Sequence, residues 1–168
     1  MRIEEEIKLD YSDVLFRPKR STLKSRKDVD LNRKYIFKHS KLSWRGTPII
    51  ASNMDGVGEI EVAKKLSSHN LMTALTKQHD IEQIGLINKN SKLHDSIALS
   101  CGTSADSYKR LNNILKKYPK FKFICIDVAN GYSENFSHFV SEVRKKYPKK
   151  TIIAGNVVTA DMTQELVL

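Results

Sequence analysis

The segments KKYPKFKFICID (residues 116–127) and KKYPKKTIIAGN (residues 145–156) decide the fold. Each reads as a basic helix end, a proline that cannot continue the helix, and then a strand. Two copies in succession make a βα repeat. On either side, short apolar runs recur at residues 48–51, 71–75, 96–100, 121–126 and 151–154, each the length of a buried strand. Between the later runs lie stripes at the three-and-four spacing of an amphipathic helix. Tyr108, Leu111, Leu115 and Tyr118 form one, and Phe136, Phe139, Val140, Val143 and Tyr147 form another. Strands separated by helices at a pitch of about 25 residues predict an α/β fold with a parallel sheet.

Five such units fit two architectures, a complete doubly wound sheet of the flavodoxin type or the first five units of a TIM (βα)8 barrel. Residues 1–47 hold no βα unit, only a basic, polar stretch with short apolar pieces such as Asp13-Val-Leu-Phe, and this fits an arm ahead of a barrel. At the other end, residues 160–168 open a helix that runs for about two turns without a glycine cap, so the barrel is expected to continue. The expectation is one domain over 1–168, with 1–47 as a pre-barrel arm and 48–168 as βα units.

In parallel sheets, functional groups collect beyond the C-terminal ends of the strands. There the chain offers Ser52-Asn53-Met54-Asp55-Gly56, Thr76-Lys77-Gln78-His79, Cys101-Gly102-Thr103-Ser104, Asp127-Val128-Ala129-Asn130-Gly131 and Gly155-Asn156-Val157-Val158-Thr159. Asp127 puts a carboxylate at the mouth, able to accept hydrogen bonds from a ribose or an amide, or else to cap the next helix. Lys77 ends an apolar strand, where an ammonium contacts a ligand, pairs with Asp127 or is solvated at the rim. His79 is the one histidine placed near this mouth; His39, His69, His94 and His138 read as surface residues of loops or helices.

No spacing typical of a protein-held transition metal occurs, and neither GxGxxG nor GxxxxGK[ST] is present, so any nucleotide must be held by rim loops. Cys101 and Cys125 sit in apolar runs and read as buried structural thiols.

With 40% hydrophobic and 29% charged residues, the composition is that of an ordinary globular domain. No apolar run approaches the length of a membrane helix, and the start MRIEEEIKLDY has acidic residues where a secretory leader would be basic. A cytoplasmic protein is expected. The net charge of +10 gathers in residues 17–27 and in the two KKYPK segments. It suits a polyanionic partner or a solvated lysine-rich face, and composition does not choose between them.

LDYSDVLFRPKRSTLKSR, PIIASNMDGVG, FICIDVANGYSE and TIIAGNVVT resemble, in that order, segments of GMP reductases, relatives of IMP dehydrogenases. The likeness covers nearly the whole chain, and RPKRSTLKSR and IDVANGYSE are specific to the reductase branch. It implies a (βα)8 barrel assembled as a homotetramer, acting on GMP and IMP with NADPH in purine nucleotide interconversion and salvage, with no nucleic-acid or membrane partner. By the same resemblance, Lys77 contacts cofactor and substrate, while Asp127, Val128 and Ala129 form the nicotinamide-cofactor stretch. Ser25 and Arg26 reach an NADPH held by a neighbouring subunit, where a guanidinium suits phosphate.

Two departures stand out. Gly56 replaces the family's usual threonine, and Thr76-Lys77-Gln78 replaces His-Lys-His. The family's nucleophilic cysteine, its proton-transfer threonine and glutamate, and a potassium site belong to a loop after the sixth strand, which has no counterpart here. Residues 1–168 alone are therefore expected to be inactive, with Lys77 and Asp127 in supporting roles.

Two other readings fit the sequence less well. An IMP dehydrogenase would commonly carry a large insertion after the second strand, whereas Lys77 leads into the third within about 20 residues. A receiver-like, non-catalytic module would need paired acidic residues after the first strand, where Asn53-Met54-Asp55 offers one carboxylate.

Overall fold

The computed structural model describes residues 5–168; the first four residues of the acidic start lie outside them. Two compact units are present, one ending at Asp30 and the other running from Leu31 to Leu168. The first holds two single 3₁₀ turns, Tyr11–Asp13 and Arg26–Asp28. Each is closed by a reciprocal cap that satisfies backbone N–H groups at both ends of the turn. Asp10 N–H donates to Asp13 Oδ2 at 2.8 Å, and Ser25 N–H donates to Asp28 Oδ2 at 3.0 Å.

The second unit opens with strands β1 (Arg33–Ile36) and β2 (Ser43–Gly46), an antiparallel hairpin. Then follow β3 (Ile50–Ala51), α1 (Ile60–Ser68), β4 (Met72–Leu75), α2 (Ile81–Ile87), α3 (Ser91–His94), β5 (Ile97–Cys101) and α4 (Ala105–Lys117). The chain closes with β6 (Phe123–Asp127), α5 (Glu134–Lys146), β7 (Thr151–Gly155) and α6 (Ala160–Val167). The five apolar runs are the five parallel strands, and both predicted stripes are helices.

Local chemistry sets the boundaries. Asp80, Ser104, Ser133 and Thr159 each accept a first-turn N–H with the side chain, starting α2, α4, α5 and α6. The prolines of the two repeats stop α4 and α5. Lys150 of the second repeat then donates from Nζ to Pro119 O and Phe121 O of the first, at 2.8 and 2.5 Å, and burial holds its pKa below the ordinary value. Part of the basic surplus is thus structural.

Strand order within the sheet is β3-β4-β5-β6-β7, the same as in sequence. A flavodoxin-like sheet would reverse direction partway and carry helices on both faces. Here the large aliphatic side chains face one way: Leu75, Ile97, Leu99, Ile124 and Ile126 pack with Leu111, Ile114, Phe136 and Val143 of the helices. Each such side chain, when fully buried, contributes roughly 1.5–3 kcal/mol relative to exposure.

The opposite face is built from smaller groups, Ala74, Ala98 and Cys125 with Met72 and Phe123, and among the described residues no helix contributes to this cluster. Trp44 of β2 joins this second cluster, and the Phe37 ring meets Phe123 edge-on at 5.6 Å. The hairpin therefore covers the strand-entry end of the interior. It has no counterpart in the sequence-based reading, because only Trp44 and Gly46 of its eight strand residues are buried.

His94 departs from expectation. It is buried, with Nε2 2.9 Å from Asn88 O and its ring edge-on to Phe121 at 5.0 Å. Packing of α3 against the start of the β6 segment, not helix periodicity, puts it there.

Candidate functional site

Alternation along β6 sends Phe123, Cys125 and Asp127 to the interior face and Ile124 and Ile126 to the helices. Asp127, the last residue of the strand, consequently stands exposed at the rim of the interior. Its carboxylate Oδ2 accepts from Asn53 Nδ2 at 3.0 Å. Asn53 follows β3, and β3 lies three strand spacings from β6, which is about 14 Å in a flat sheet. Two short side chains meet across that span only because the sheet curls strongly. The bond is a chord across the mouth, and it is direct evidence for barrel curvature.

This geometry removes two of the alternatives, helix capping by Asp127 and its pairing with Lys77. Ser133 caps α5, so Asp127 does not. Nor does Lys77 pair with it: among the described residues, Lys77 makes no ion pair and its side chain is exposed. Thr76 is the last buried residue of the β4 segment, and Lys77 sits in the turn that follows. The mouth therefore presents an ammonium and a carboxylate that are both accessible.

The loop after β3 is shaped by two glycines. Gly56 has a φ of +73°, a left-handed conformation that a threonine would adopt only with strain. At Gly58, a Cβ would lie 2.6 Å from Ala74 O, so only glycine permits this approach to β4. Gly58 O in turn accepts from Thr76 N–H at 2.9 Å.

His79 is buried at the edge of this region, with Nε2 3.3 Å from both Gly58 O and Glu59 Oε2. It faces protein groups instead of the open mouth. Arg110, on α4, holds the His79 carbonyl with Nε (3.0 Å) and Nη2, and donates from Nη1 to Ser100 O at 3.3 Å.

On the other side, the loops after β6 and β7 are laced together. Val128 N–H donates to Gly155 O, Asn156 N–H to Val128 O and Gly131 N–H to Asn156 O, each at 2.9 Å. Val128 is half-buried and Ala129 exposed, so the stretch starting at Asp127 forms part of the rim. Ser25 and Arg26 belong to the first compact unit and are exposed there; the Ser25 hydroxyl accepts from Lys27 N–H at 3.2 Å.

Cys101 and Cys125 are free and buried. Burial pushes the Cys101 thiol up to about 12 and raises that of Cys125 as well, so neither is a thiolate at neutral pH. Among the described residues, no cluster of His, Cys, Asp and Glu could hold a metal ion, and no helix is long and apolar enough to cross a membrane.

The sequence puts Asn53 at a strand exit without giving it a role, and it singles out neither Arg110 nor Tyr132. Asn53 was visible as a rim residue, but its partner is 74 positions away. Arg110 carried no signal beyond its place on a helix.

A sequentially ordered parallel sheet, helices on one face and polar groups gathered at the strand exits define the barrel class of α/β proteins. An IMP dehydrogenase from Legionella pneumophila shares this fold, with a TM-score of 0.71 at 24% identity, over 92% of this chain and 46% of that one. The model of the IMP dehydrogenase / GMP reductase domain matches residues 8–168, and the chain belongs to that family.

A GMP reductase of Shewanella pealeana is 49% identical over 170 residues, spanning 100% of this chain and 49% of the relative. One from Caenorhabditis elegans is 47% identical over 169 residues, spanning 99% and 47%. The chain thus spans about half the length of the curated relatives it matches.

Proposed function

We propose that these residues form the cofactor side of an NADPH-dependent enzyme that converts GMP to IMP and ammonia. The observation that carries the reading is the accessible Lys77 and Asp127 at one strand-exit rim, in a chain about half identical to GMP reductases over its whole length. The rim fits the cofactor chemically. An unpaired ammonium suits its phosphates, and a carboxylate with a free oxygen suits ribose hydroxyls or the carboxamide.

When bound, NADPH supplies the hydride that replaces the departing amine, so that GMP, NADPH and two protons give IMP, ammonium and NADP⁺. Lys77 contacts cofactor and substrate. Asp127, held in direction by Asn53, orients the nicotinamide portion together with Val128 and Ala129. Ser25 and Arg26 serve an NADPH of a neighbouring subunit in a homotetramer in the cytoplasm. Nearly complete exposure of Tyr11, Leu15 and Phe16 in the arm supports burial of this unit against a partner.

The two thiols here are enclosed and their pKa values raised, so neither is the nucleophile of this reading, which assigns that role, and the potassium site, to the family's loop after the sixth strand. An oxidative IMP dehydrogenase is disfavoured because α2 and α3 alone fill the connection from β4 to β5. The assay follows NADPH oxidation with GMP, and separately cofactor reduction with IMP, in residues 1–168 and in a protein extended by the next three βα units. The extended protein should turn over GMP and the shorter one should not. Oxidation of IMP by the extended protein, or GMP turnover by residues 1–168, would refute the reading.

A further inference from the structure

Tyr132 follows the Asp127-Val128-Ala129 stretch by three residues and reaches across to the next loop. Its phenolic oxygen accepts from Val158 N–H at 2.8 Å and Thr159 N–H at 2.9 Å, and its O–H donates to Thr159 Oγ1 at 3.2 Å. Thr159 is the N-cap of α6, so one hydroxyl meets the backbone where that helix begins. The base of the tyrosine is fixed too, because Tyr132 N–H donates to Asn130 Oδ1 at 3.0 Å.

The residue is 45% exposed, so burial of the ring is not what it mainly supplies. A phenylalanine would keep the ring contacts and lose all three hydroxyl bonds. The backbone bonds already joining the two loops lie on the strand side, at Val128, Gly131 and Asn156; the tyrosine closes the outer side of the same ring.

We propose that Tyr132 is a positioning residue, clamping the loop that carries Asp127, Val128 and Ala129 to the start of α6 and thereby setting the shape of the cofactor-side rim. Its link to NADPH rests on the function proposed above; the clamp itself does not. The hydrogen bonds on Tyr132, that to Thr159 first, also hold its pKa below the ordinary tyrosine value.

The experiment compares wild type with Y132F by amide hydrogen exchange, NADPH and GMP titration, and thermal melting. Exchange should quicken at Val158, Thr159 and residues 127–131. NADPH affinity should fall about tenfold, the scale of one or two lost hydrogen bonds, while GMP affinity changes less than about twofold.

A purely structural tyrosine would instead lower the melting temperature and weaken both ligands alike, which would overturn the positioning role. Unchanged exchange at Val158 and Thr159 would overturn the clamp. Wild-type protein with no measurable NADPH affinity, but with exchange that quickens in Y132F, would sustain the clamp and overturn the proposed function.

Discussion

Replacing Arg110 with methionine should cost about 2–4 kcal/mol of folding stability. The guanidinium is half-buried and supplies two donors to His79 O and one to Ser100 O, tying the turn after β4 to β5 through α4. Hydrogen bonds from a charged group contribute roughly 1.5–3 kcal/mol each; the shared acceptor makes the three donors count as about two bonds, and partial exposure lowers the resulting sum of roughly 3–6 kcal/mol to about 2–4 kcal/mol. Methionine keeps most of the stem's packing, so the loss reports the head group.

With a urea slope of roughly 2 kcal/mol/M, the unfolding midpoint should fall by about 1–2 M, and amides of residues 78–80 should exchange faster. Arg110→Lys should recover only part, because one ammonium cannot reproduce the fork. A midpoint shift under about 0.3 M for Arg110→Met, with unchanged exchange, would refute the assigned role.

Lys77→Ala should leave the melting temperature within about 2 °C while cutting turnover of the extended protein by about 100-fold, since an exposed rim lysine supports no core; steady-state kinetics beside a melting curve checks both. Gly131→Ala should destabilise by about 1–3 kcal/mol and weaken NADPH, because a Cβ there would lie 2.7 Å from Asn156 O and 2.8 Å from Val157 Cγ1, forcing the two rim loops apart; urea unfolding and cofactor titration would show it. Cys101 gives a pH signature. Its pKa is raised from 9.0 to about 12 in the folded state, so the stability it allows is complete below about 9 and is lost as pH climbs toward 12. Urea midpoints across that range should decline less steeply in Cys101→Ala than in wild type.

What could be read in advance was whatever depends on short-range pattern. The two KKYPK repeats fixed the order of helix, stop and strand because proline and apolar periodicity act within a few residues. The positions of Lys77 and Asp127 at strand exits followed from the same pattern. The β1–β2 hairpin did not, because its strands are mostly exposed and only Trp44 anchors it to the interior. The burial of His94 and the meeting of Asn53 with Asp127 likewise depend on tertiary approach. Strand β6 begins at Phe123, two residues after the apolar run does, since Phe121 is spent on packing beside His94.

The bond from Asn53 to Asp127 spans four strands of the sheet, so the direction of one carboxylate and the curvature of the whole wall are mechanically one variable. A substitution in the middle of β4 or β5 that flattened the sheet by a few degrees would pull the two ends apart and release the Asp127 side chain. Side-chain size at Ala74 and Ala98, on strands that contribute neither partner, is therefore under the same constraint as the rim itself.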